Sequence, residues 1–488
     1  MAGAAERSWS SDPGIAHHQR IVLINTTIGA LMSSLDGSIL TVSLPTIARQ
    51  LHTGVGLMLW IMMGYTAMIT ALLLPFGRLA DLHGRVKFYG AGFIIFAGSS
   101  ALCGFAPNGE LLLAGRLMQG VGSALLWSNS TAILTDAFPQ AGRGFALGIN
   151  QVAALSGSVG GLLLGGIITA TLGWRWIFFV NLPIGIFGGI WTFVALDELA
   201  TVDHADRFDW GGMTLFMSGI VLILLGLTES IQGSEQLVPW LMGIGFLVSA
   251  GFVWRELKID SPLVDLGLFK SRMFFLGNFS LFLNALARGA LMFLMTFAFQ
   301  GFNGDSPLIA GLKMLPLSLA IIVVGPIAGR LSDRMGSREL SSGGLLVTAL
   351  SLMILAVSGL GSYGVIAVAL ALSGVGNGLF NSPNTSAVMG AVPADRRGVA
   401  ASTRTLLFNT GQLFSMSVSF AILAGVMGSK QLAGFLAGQD VTARASGHAA
   451  FAHGLTEAFV ISAILSVVAA GLSALRGKQA LNPVSARS

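Results

Sequence analysis

"GRLADLHGR" (residues 77–85) and "GRLSDRMGSR" (residues 329–338) are two charged phrases in an otherwise apolar chain. Each sets an acid, several bases and two glycines within about ten residues between long hydrophobic runs, and the two begin 252 residues apart. A second pair keeps nearly the same offset. "GVGSALLWSNSTAILTDAFPQAGRG" starts at Gly120 and "GVGNGLFNSPNTSAVMGAVPADRRG" at Gly374, 254 residues on, matching without a gap through Pro139/Pro393 and Arg143/Arg397. Two matches at almost one offset mark an internal duplication.

The surrounding composition places the duplicated units in a bilayer. Of 488 residues, 53% are hydrophobic and 10% charged, with a mean hydropathy of +0.78. A soluble domain carries roughly 25% charged residues, so this chain cannot clothe a water-facing surface. The 65 glycines suit helices packed closely in lipid. Cys103 is the only cysteine, which excludes an intrachain disulfide and a cysteine-based metal site. No cluster of His, Cys and acids has metal spacing, and no phosphate-binding glycine loop is present, so neither an enzyme nor an ATP-driven pump is expected.

Apolar runs of about 20 residues give fourteen spans: 21–44, 57–77, 87–106, 111–135, 145–171, 175–196, 211–229, 237–256, 273–300, 307–329, 340–358, 362–390, 399–426 and 456–475. An even number puts both termini on one side. Placing them in the cytoplasm leaves about 20 Lys and Arg inside and four outside, namely Arg49, Arg175, Lys430 and Arg444. The expected organisation is a cytoplasmic tail (1–20), an N-terminal six-helix half (21–196), a linker with two inserted spans (197–272), a C-terminal six-helix half (273–475) and a second cytoplasmic tail (476–488). The charged phrases fall on the same side of the membrane in both copies, so the halves are parallel repeats. Their glycines permit a tight turn between helices, and Asp81 and Asp333 can face helix N-termini, where a carboxylate is favoured. The acid-rich 197–209 segment reads as a solvated linker.

These phrases resemble the signature loop of the major facilitator superfamily and its echo in the second half. "LDGSILTVSLPTI" (35–47), "LLAGRLMQGVGSA" (112–124) and "WRWIFFVNLPIG" (174–185) resemble first-, fourth- and sixth-helix motifs of its fourteen-helix drug–proton antiporter branch. The resemblance implies an all-α fold of two six-helix repeats plus two inserted helices. It also implies a helix-packing motif in the fifth span at Gly161, Gly165 and Gly166, although Leu162 stands where that motif has proline.

Ionisable residues inside spans are costly and are functional candidates by default. Asp36 is the only acid deep in a span. A carboxyl there is so costly to ionise that taking up a proton competes, which is the property of a proton carrier. Structural bonding to Ser33, Ser34 or Ser38 is the alternative. The resemblance implies a proton-coupling role for Arg116, and it makes the first and fourth helices of each half line a central cavity. Asn129, Asn284, Arg288, Asn377, Asn381 and Asn384 are the polar groups expected there. Arg288 is placed to pair with Asp36 across the cavity or to bind an anionic headgroup. Pro383 can bend its helix. Gly77, Asp81, Gly84 and Arg85, with Asp333 and Arg404, are expected to form a cytoplasmic latch, Asp81 facing the start of span thirteen near Gly398.

The expected function is proton-coupled export of lipophilic small molecules, drugs included, from the inner membrane by alternating access. A lipid or glycolipid exporter fed laterally from the bilayer is the alternative, and a non-transporting receptor or scaffold is a third reading. The expected partners are the lipophilic substrate, protons and membrane lipids, acting on a monomer without cofactor, metal or nucleic acid.

Overall fold

The structure is a computed structural model that describes residues 13–138, 140–198, 209–232, 236–259, 264, 266–359, 361–393, 397–428, 431–432 and 444–477. The side chains of Asp333 and Gly398 lie outside the described set, so two of the expected latch positions are not placed by it.

Every described regular element is helical, and the elements form fourteen rods. The first six are α1 (Pro13–Leu51), α2 (Val55–His83), α3 (Arg85–Gly104), α4 (Gly109–Ala137), α5 (Gln140–Thr171) and α6 (Trp176–Phe179, then Asn181–Ala195). The inserted pair is α7 (Trp210–Gln232) and α8 (Val238–Glu256). The last six are α9 (Arg272–Arg288, then Leu291–Phe297), α10 (Pro307–Lys313, then Leu315–Met335), α11 (Ser337–Ser358), α12 (Tyr363–Gly390), α13 (Arg397–Met427) and α14 (Arg444–Leu475). Thirteen of these rods are long and apolar enough to cross a membrane. The exception is α4, whose Arg116, Gln119, Ser123 and Asn129 are all buried against neighbouring helices. Protein, not lipid, solvates that span.

The described residues divide into two compact units. One runs to Val221 and includes Gly245–Leu263 and Ser306–Leu308; the other comprises Leu222–Ile244, Val264–Asp305 and Ile309 onward. Within the first unit α1 packs on α5, α4 on both α2 and α3, and α3 on α6. Within the second, α9 packs on α13, α12 on both α10 and α11, and α11 on α14. The pairing is the same with every label raised by eight, so the sequence duplication is a duplication of packing.

Small residues set that packing. In "GVG" at 120–122, a Cβ on Gly120 would stand 2.7 Å from the Tyr65 carbonyl oxygen on α2, and one on Gly122 would stand 2.8 Å from the Phe96 nitrogen on α3. In the second copy Gly374 meets Leu317 on α10 in the same way, and Gly376 meets Gly344 on α11. One motif therefore lets a central helix touch two neighbours at backbone distance. On α5, Gly157, Gly161 and Gly165 recur every four residues against the carbonyls of Leu31, Leu35 and Ile39. Gly166 is buried beside them. Leu162 is fully buried and α5 runs on without interruption.

The quoted phrases are the α2–α3 and α10–α11 turns. Gly84 and Gly336 both take positive φ, 108° and 88°, a conformation that costs glycine nothing and other residues one or two kcal/mol. Asp81 does not cap the following helix. It pairs with Arg85, and Glu198 accepts from the Val86 amide at the start of α3, at 2.9 Å.

Three rods break inside the apolar zone. α6 breaks at Val180, α10 at Met314 and α9 at Gly289–Ala290. The α9 break is satisfied locally, because the Ala290 N–H donates to Ser415 Oγ at 2.9 Å. The acidic linker is partly structural, since its last residue, Asp209, accepts from the Gly212 amide at the start of α7 and from Arg255 at 2.7 Å. Burial pushes this carboxyl up, but those hydrogen bonds outweigh it and hold the group below its ordinary range. α8 exposes Trp240, Phe246, Leu247 and Trp254, as a lipid-facing helix would.

The glycine seams give a direct test. Gly120→Ala and Gly374→Ala should each lower the melting temperature of the purified protein by several degrees, since overpacking costs about 1–3 kcal/mol. Gly98→Ala, where a Cβ meets nothing within 4 Å, should leave it unchanged. Differential scanning fluorimetry on the native tryptophans reads all three.

Candidate functional site

The polar centre of the N-terminal half is built around Asp36, which is fully buried two-thirds of the way along α1. Arg116 on α4 donates through Nη1 to Asp36 Oδ2 at 2.5 Å, and Asn181 Nδ2 donates to Oδ1 at 2.8 Å. Gln119 Nε2 reaches Oδ1 at 3.3 Å. The break in α6 puts Asn181 at the start of its second segment, directly after Val180. None of the three serines near Asp36 in sequence bonds its carboxylate; the partners come from other helices.

Arg116 is held from several sides. Its Nη1 also donates to Gln119 Oε1 at 2.7 Å, and its Nε donates to the Ile61 carbonyl at 3.3 Å. Its guanidinium lies 4.3 Å from the centre of the Tyr65 ring, a cation–π distance. Tyr65 Oη in turn shares a 2.6 Å hydrogen bond with Ser123 Oγ and donates to the Ser33 carbonyl. Gln119 Nε2 donates to Ser100 Oγ at 2.7 Å, and Cys103 Sγ lies 3.6 Å from Gln119 Oε1. Side chains from α1, α2, α3, α4 and α6 thus converge on one ion pair. One acceptor is left over: Asn181 Oδ1 is buried with no hydrogen-bond partner.

Desolvating two charges costs several kcal/mol per ion. Coulombic attraction and charge-assisted hydrogen bonds offset that cost only when the remaining lone pairs are met, and here Asn181 and Gln119 supply the further donors to Asp36.

The family model described as Major Facilitator Superfamily matches residues 26–416 and, in a second alignment, 278–485. The chain belongs to that superfamily. It is a multi-pass membrane transporter of the drug-exporter branch, not an enzyme. It is 34% identical to the riboflavin transporter RibZ of Clostridioides difficile over 81% of this chain and 87% of that one. It is 32% identical to the multidrug resistance protein Stp of Mycobacterium tuberculosis over 84% and 76%, and 29% identical to the methylenomycin A resistance protein of Streptomyces coelicolor over 81% and 84%. Among solved structures it resembles a bacterial homologue of the human lysosomal transporter Spinster, captured inward-facing and unoccupied. The TM-score is 0.67 at 17% identity, covering 96% of this chain and 98% of that one, a likeness of fold.

The other expected site residues are scattered within their own halves of this transporter. Asn129 bonds to the Leu125 carbonyl and Ser128, and Asn384 bonds to the Gly277 carbonyl and Arg476. Both are buried, as is Asn284; Asn129 bonds within its own helix, Asn384 reaches α9, and Asn284 Oδ1 has no hydrogen-bond partner. Asn377, Asn381 and Arg288 are half-buried. Arg288 donates to Ser373 at 3.4 Å, and its expected acid, Asp36, is occupied by Arg116. Arg404 donates to Asn381 in its own half at 2.7 Å. Arg85 bonds both Asp81 at 2.8 Å and Asp136 at 2.6 Å, tying the α2–α3 turn to the end of α4. Gly77 is half-buried near Ser128.

Sequence reasoning missed Gln119, Asn181, Tyr65 and Asp136. Asn181 carried a faint signal as the one amide in the apolar run "WIFFVNLPIG". Arg476, the first residue of the expected cytoplasmic tail, is buried and donates to Asn384 Oδ1 at 2.6 Å and to the Ser337 carbonyl at 2.8 Å. Burial lowers its pKa to about 10, which leaves it charged at neutral pH.

A mutant cycle measures the pair. Arg116→Gln and Asp36→Asn should each destabilise the purified protein by about 3–5 kcal/mol, because each strands one buried charge. The double mutant should be more stable than the sum of the two losses by at least about 1 kcal/mol. Additive losses in the unfolding transitions would mean the two side chains do not interact.

Proposed function

We propose that this transporter exports lipophilic small molecules in exchange for protons, with Asp36 as the carrier. One observation supports this above the others: the only deep acid of the N-terminal half is wholly enclosed and held by one base, Arg116, that cannot give up its own proton under physiological conditions. Protonation of Asp36 removes the charge that binds Arg116, so the hold of α1 on α4 loosens when a proton arrives and returns when it leaves. A proton entering down 100 mV supplies about 2.3 kcal/mol, a gradient of about 50-fold. The relatives named as multidrug and methylenomycin A resistance proteins support drug-like cargo, and the one named a riboflavin transporter adds planar heteroaromatics to the panel worth testing.

Alternating access moves the two halves about a midplane cavity. In our reading the cluster of Asp81, Arg85 and Asp136 stiffens the cytoplasmic end of the N-terminal half and acts as its latch, with Gly77 and Gly84 shaping the turn. Asp333 has the corresponding place in the second copy. The bias of Lys and Arg puts this end, and both termini, in the cytoplasm of a cell whose inner membrane holds the protein.

Proteoliposomes with an imposed pH gradient, tested with riboflavin and with lipophilic dyes, decide the matter. The wild type should drive substrate against its gradient. Asp36→Asn should lose uphill transport by at least tenfold while still equilibrating substrate downhill. Uphill pumping by Asp36→Asn at the wild-type rate would refute the carrier assignment. In the same assay Asp81→Asn should slow turnover about 2- to 5-fold, the worth of a partly exposed ion pair; an unchanged rate would remove the latch.

A further inference from the structure

The spanning helices of the C-terminal half contain two guanidinium groups that no acid balances. Arg116 pairs with Asp36, Arg85 with Asp81 and Asp136, Arg255 with Asp209 and Lys313 with Asp305, whereas Arg49 and Arg175 near the ends of their rods, and Arg476 just past α14, are held by neutral oxygens. Arg288 on α9 has one hydrogen-bond partner among the described residues, the neutral Ser373 Oγ. Arg404 on α13 has one, the neutral Asn381 Oδ1, and its Nε is buried with no partner.

The two partners stand on one stripe of α12. Ser373, Asn377 and Asn381 recur every four residues, so they share a face. Arg288 docks at one end of this stripe and Arg404 at the other, about 12 Å apart along the helix axis. Asn377 stands between them, half-buried and with no side-chain hydrogen bond to any described residue. Snorkelling does not account for Arg288. It lies sixteen residues from the start of α9, Arg272, and fourteen from Phe302 where that span ends. At 1.5 Å per residue each helix end is more than 20 Å away, so Arg288 is near mid-span, where a hydrocarbon core about 30 Å thick puts either interface about 15 Å off, beyond the reach of an arginine.

The duplication sharpens the point. At the 252-residue offset of the two turn phrases, Arg288-Gly289 falls on Asp36-Gly37. At the 254-residue offset of the second repeat, Ser373 falls on Gln119 and Leu370 on Arg116. The C-terminal half therefore keeps the contact between its first and fourth helices but replaces the acid with a base and deletes the base that balanced it. A cation withdrawn from water without an acid beside it is costly, and in this half Arg288 and Arg404 are both half-buried in that state.

We propose that Arg288 and Arg404 bind the acidic group of the transported molecule, so that the substrates are amphiphilic organic anions. Each guanidinium has unused donors for a carboxylate or similar oxyanion, the planar recognition at which arginine excels. Asn377 adds an amide donor between them. Phe408, one turn beyond Arg404 and so on its face of α13, is a partly buried aromatic side chain near the apolar body. One acidic group can pass between the two stations, or two can be held together. This inference rests on the reading of the protein as an exporter, but equilibrium binding tests it without any proton gradient.

The probe is a matched set on one fluorescent skeleton: pyrenebutyrate, its methyl ester, and a pyrenebutyl trimethylammonium. Purified full-length protein in phosphatidylcholine nanodiscs is titrated by fluorescence anisotropy. The anion should bind at least tenfold more tightly than the ester or the cation. Arg288→Gln and Arg404→Gln should each weaken the anion about tenfold and leave the ester within twofold, and Arg288→Lys should recover part of the loss. Asp36→Asn should keep the preference for the anion, which separates this result from failure of proton coupling. Equal affinity for anion and ester, or equal weakening of all three probes in the Gln variants, would overturn the proposal. A repeat with 20% phosphatidylglycerol distinguishes the source of the anion. Unchanged pyrenebutyrate affinity supports a transported molecule; displacement by the lipid would assign the two arginines to a headgroup and overturn the substrate assignment.

Discussion

A carboxylate and a guanidinium buried in a low-dielectric bundle must find each other or fail to ionise, and much of the N-terminal half follows from satisfying that demand. Asp36 and Arg116 sit on different helices, so their 2.5 Å contact fixes the rotation of α1 against α4. A pair alone would leave lone pairs and N–H groups unmet. Gln119, Asn181, the Ile61 carbonyl and the Tyr65 ring supply what is missing, which draws in α2 and α6. Backbones must come close for short side chains to reach, and the glycines at 120, 122, 157, 161 and 165 allow it. The glycine seams and the ion pair are two halves of one solution: the first costs side-chain packing, the second recovers it as polar contact.

Most of the fold was legible in the sequence because its causes are local. Bilayer thickness demands runs of about 20 apolar residues, and fourteen such runs became fourteen rods. Gly84 and Gly336 announced turns because only glycine takes positive φ cheaply. The duplication was legible because both copies meet the same packing problem with the same "GVG". The site was half legible. Asp36 and Arg116 stood out as charges in an apolar run. Asn181 and Gln119 did not, since a neutral amide in a helix is commonplace until the fold puts a carboxylate beside it. The helix break before Asn181 goes with Pro183, which has no N–H for the Phe179 carbonyl, but a proline does not say which side chain the break aims. Asp81 was read towards a helix N-terminus, but Arg85 lies one turn away with ideal i,i+4 spacing, and the nearer charge prevailed. Arg476 gave no signal in the sequence because a base just after a span is commonplace; here the amide of Asn384 and the Ser337 carbonyl hold it inside.

The two halves share a scaffold but not an electrostatic character. The N-terminal half is internally neutral at its centre, with one acid and one base in contact. The C-terminal half presents bases against Ser373 and Asn381. Duplication makes such divergence inexpensive, because the glycine-lined packing of α12 on α10 and α11 does not depend on which charge α9 presents. A change at position 288 need not disturb the seams at Gly374 and Gly376.

That division has an energetic consequence for an exporter working across a membrane that is negative inside. A monovalent organic anion moving outward travels with the field and gains about 2.3 kcal/mol per 100 mV. A proton moving inward gains the same. The two contributions add, so one exchange at 100 mV is driven by about 4.6 kcal/mol, a gradient of roughly 2,500-fold. For a monovalent cation the outward step opposes the field and cancels the proton's electrical gain, leaving only the pH difference to do work. A second acid in the spanning helices would be the natural remedy for a cation pump, since it could carry a second proton or meet the cargo's charge. The described spans of the C-terminal half have none at the level of Arg288. Under the proposed exchange, one acid in one half and bases without an acid partner in the other form an arrangement with which one proton suffices.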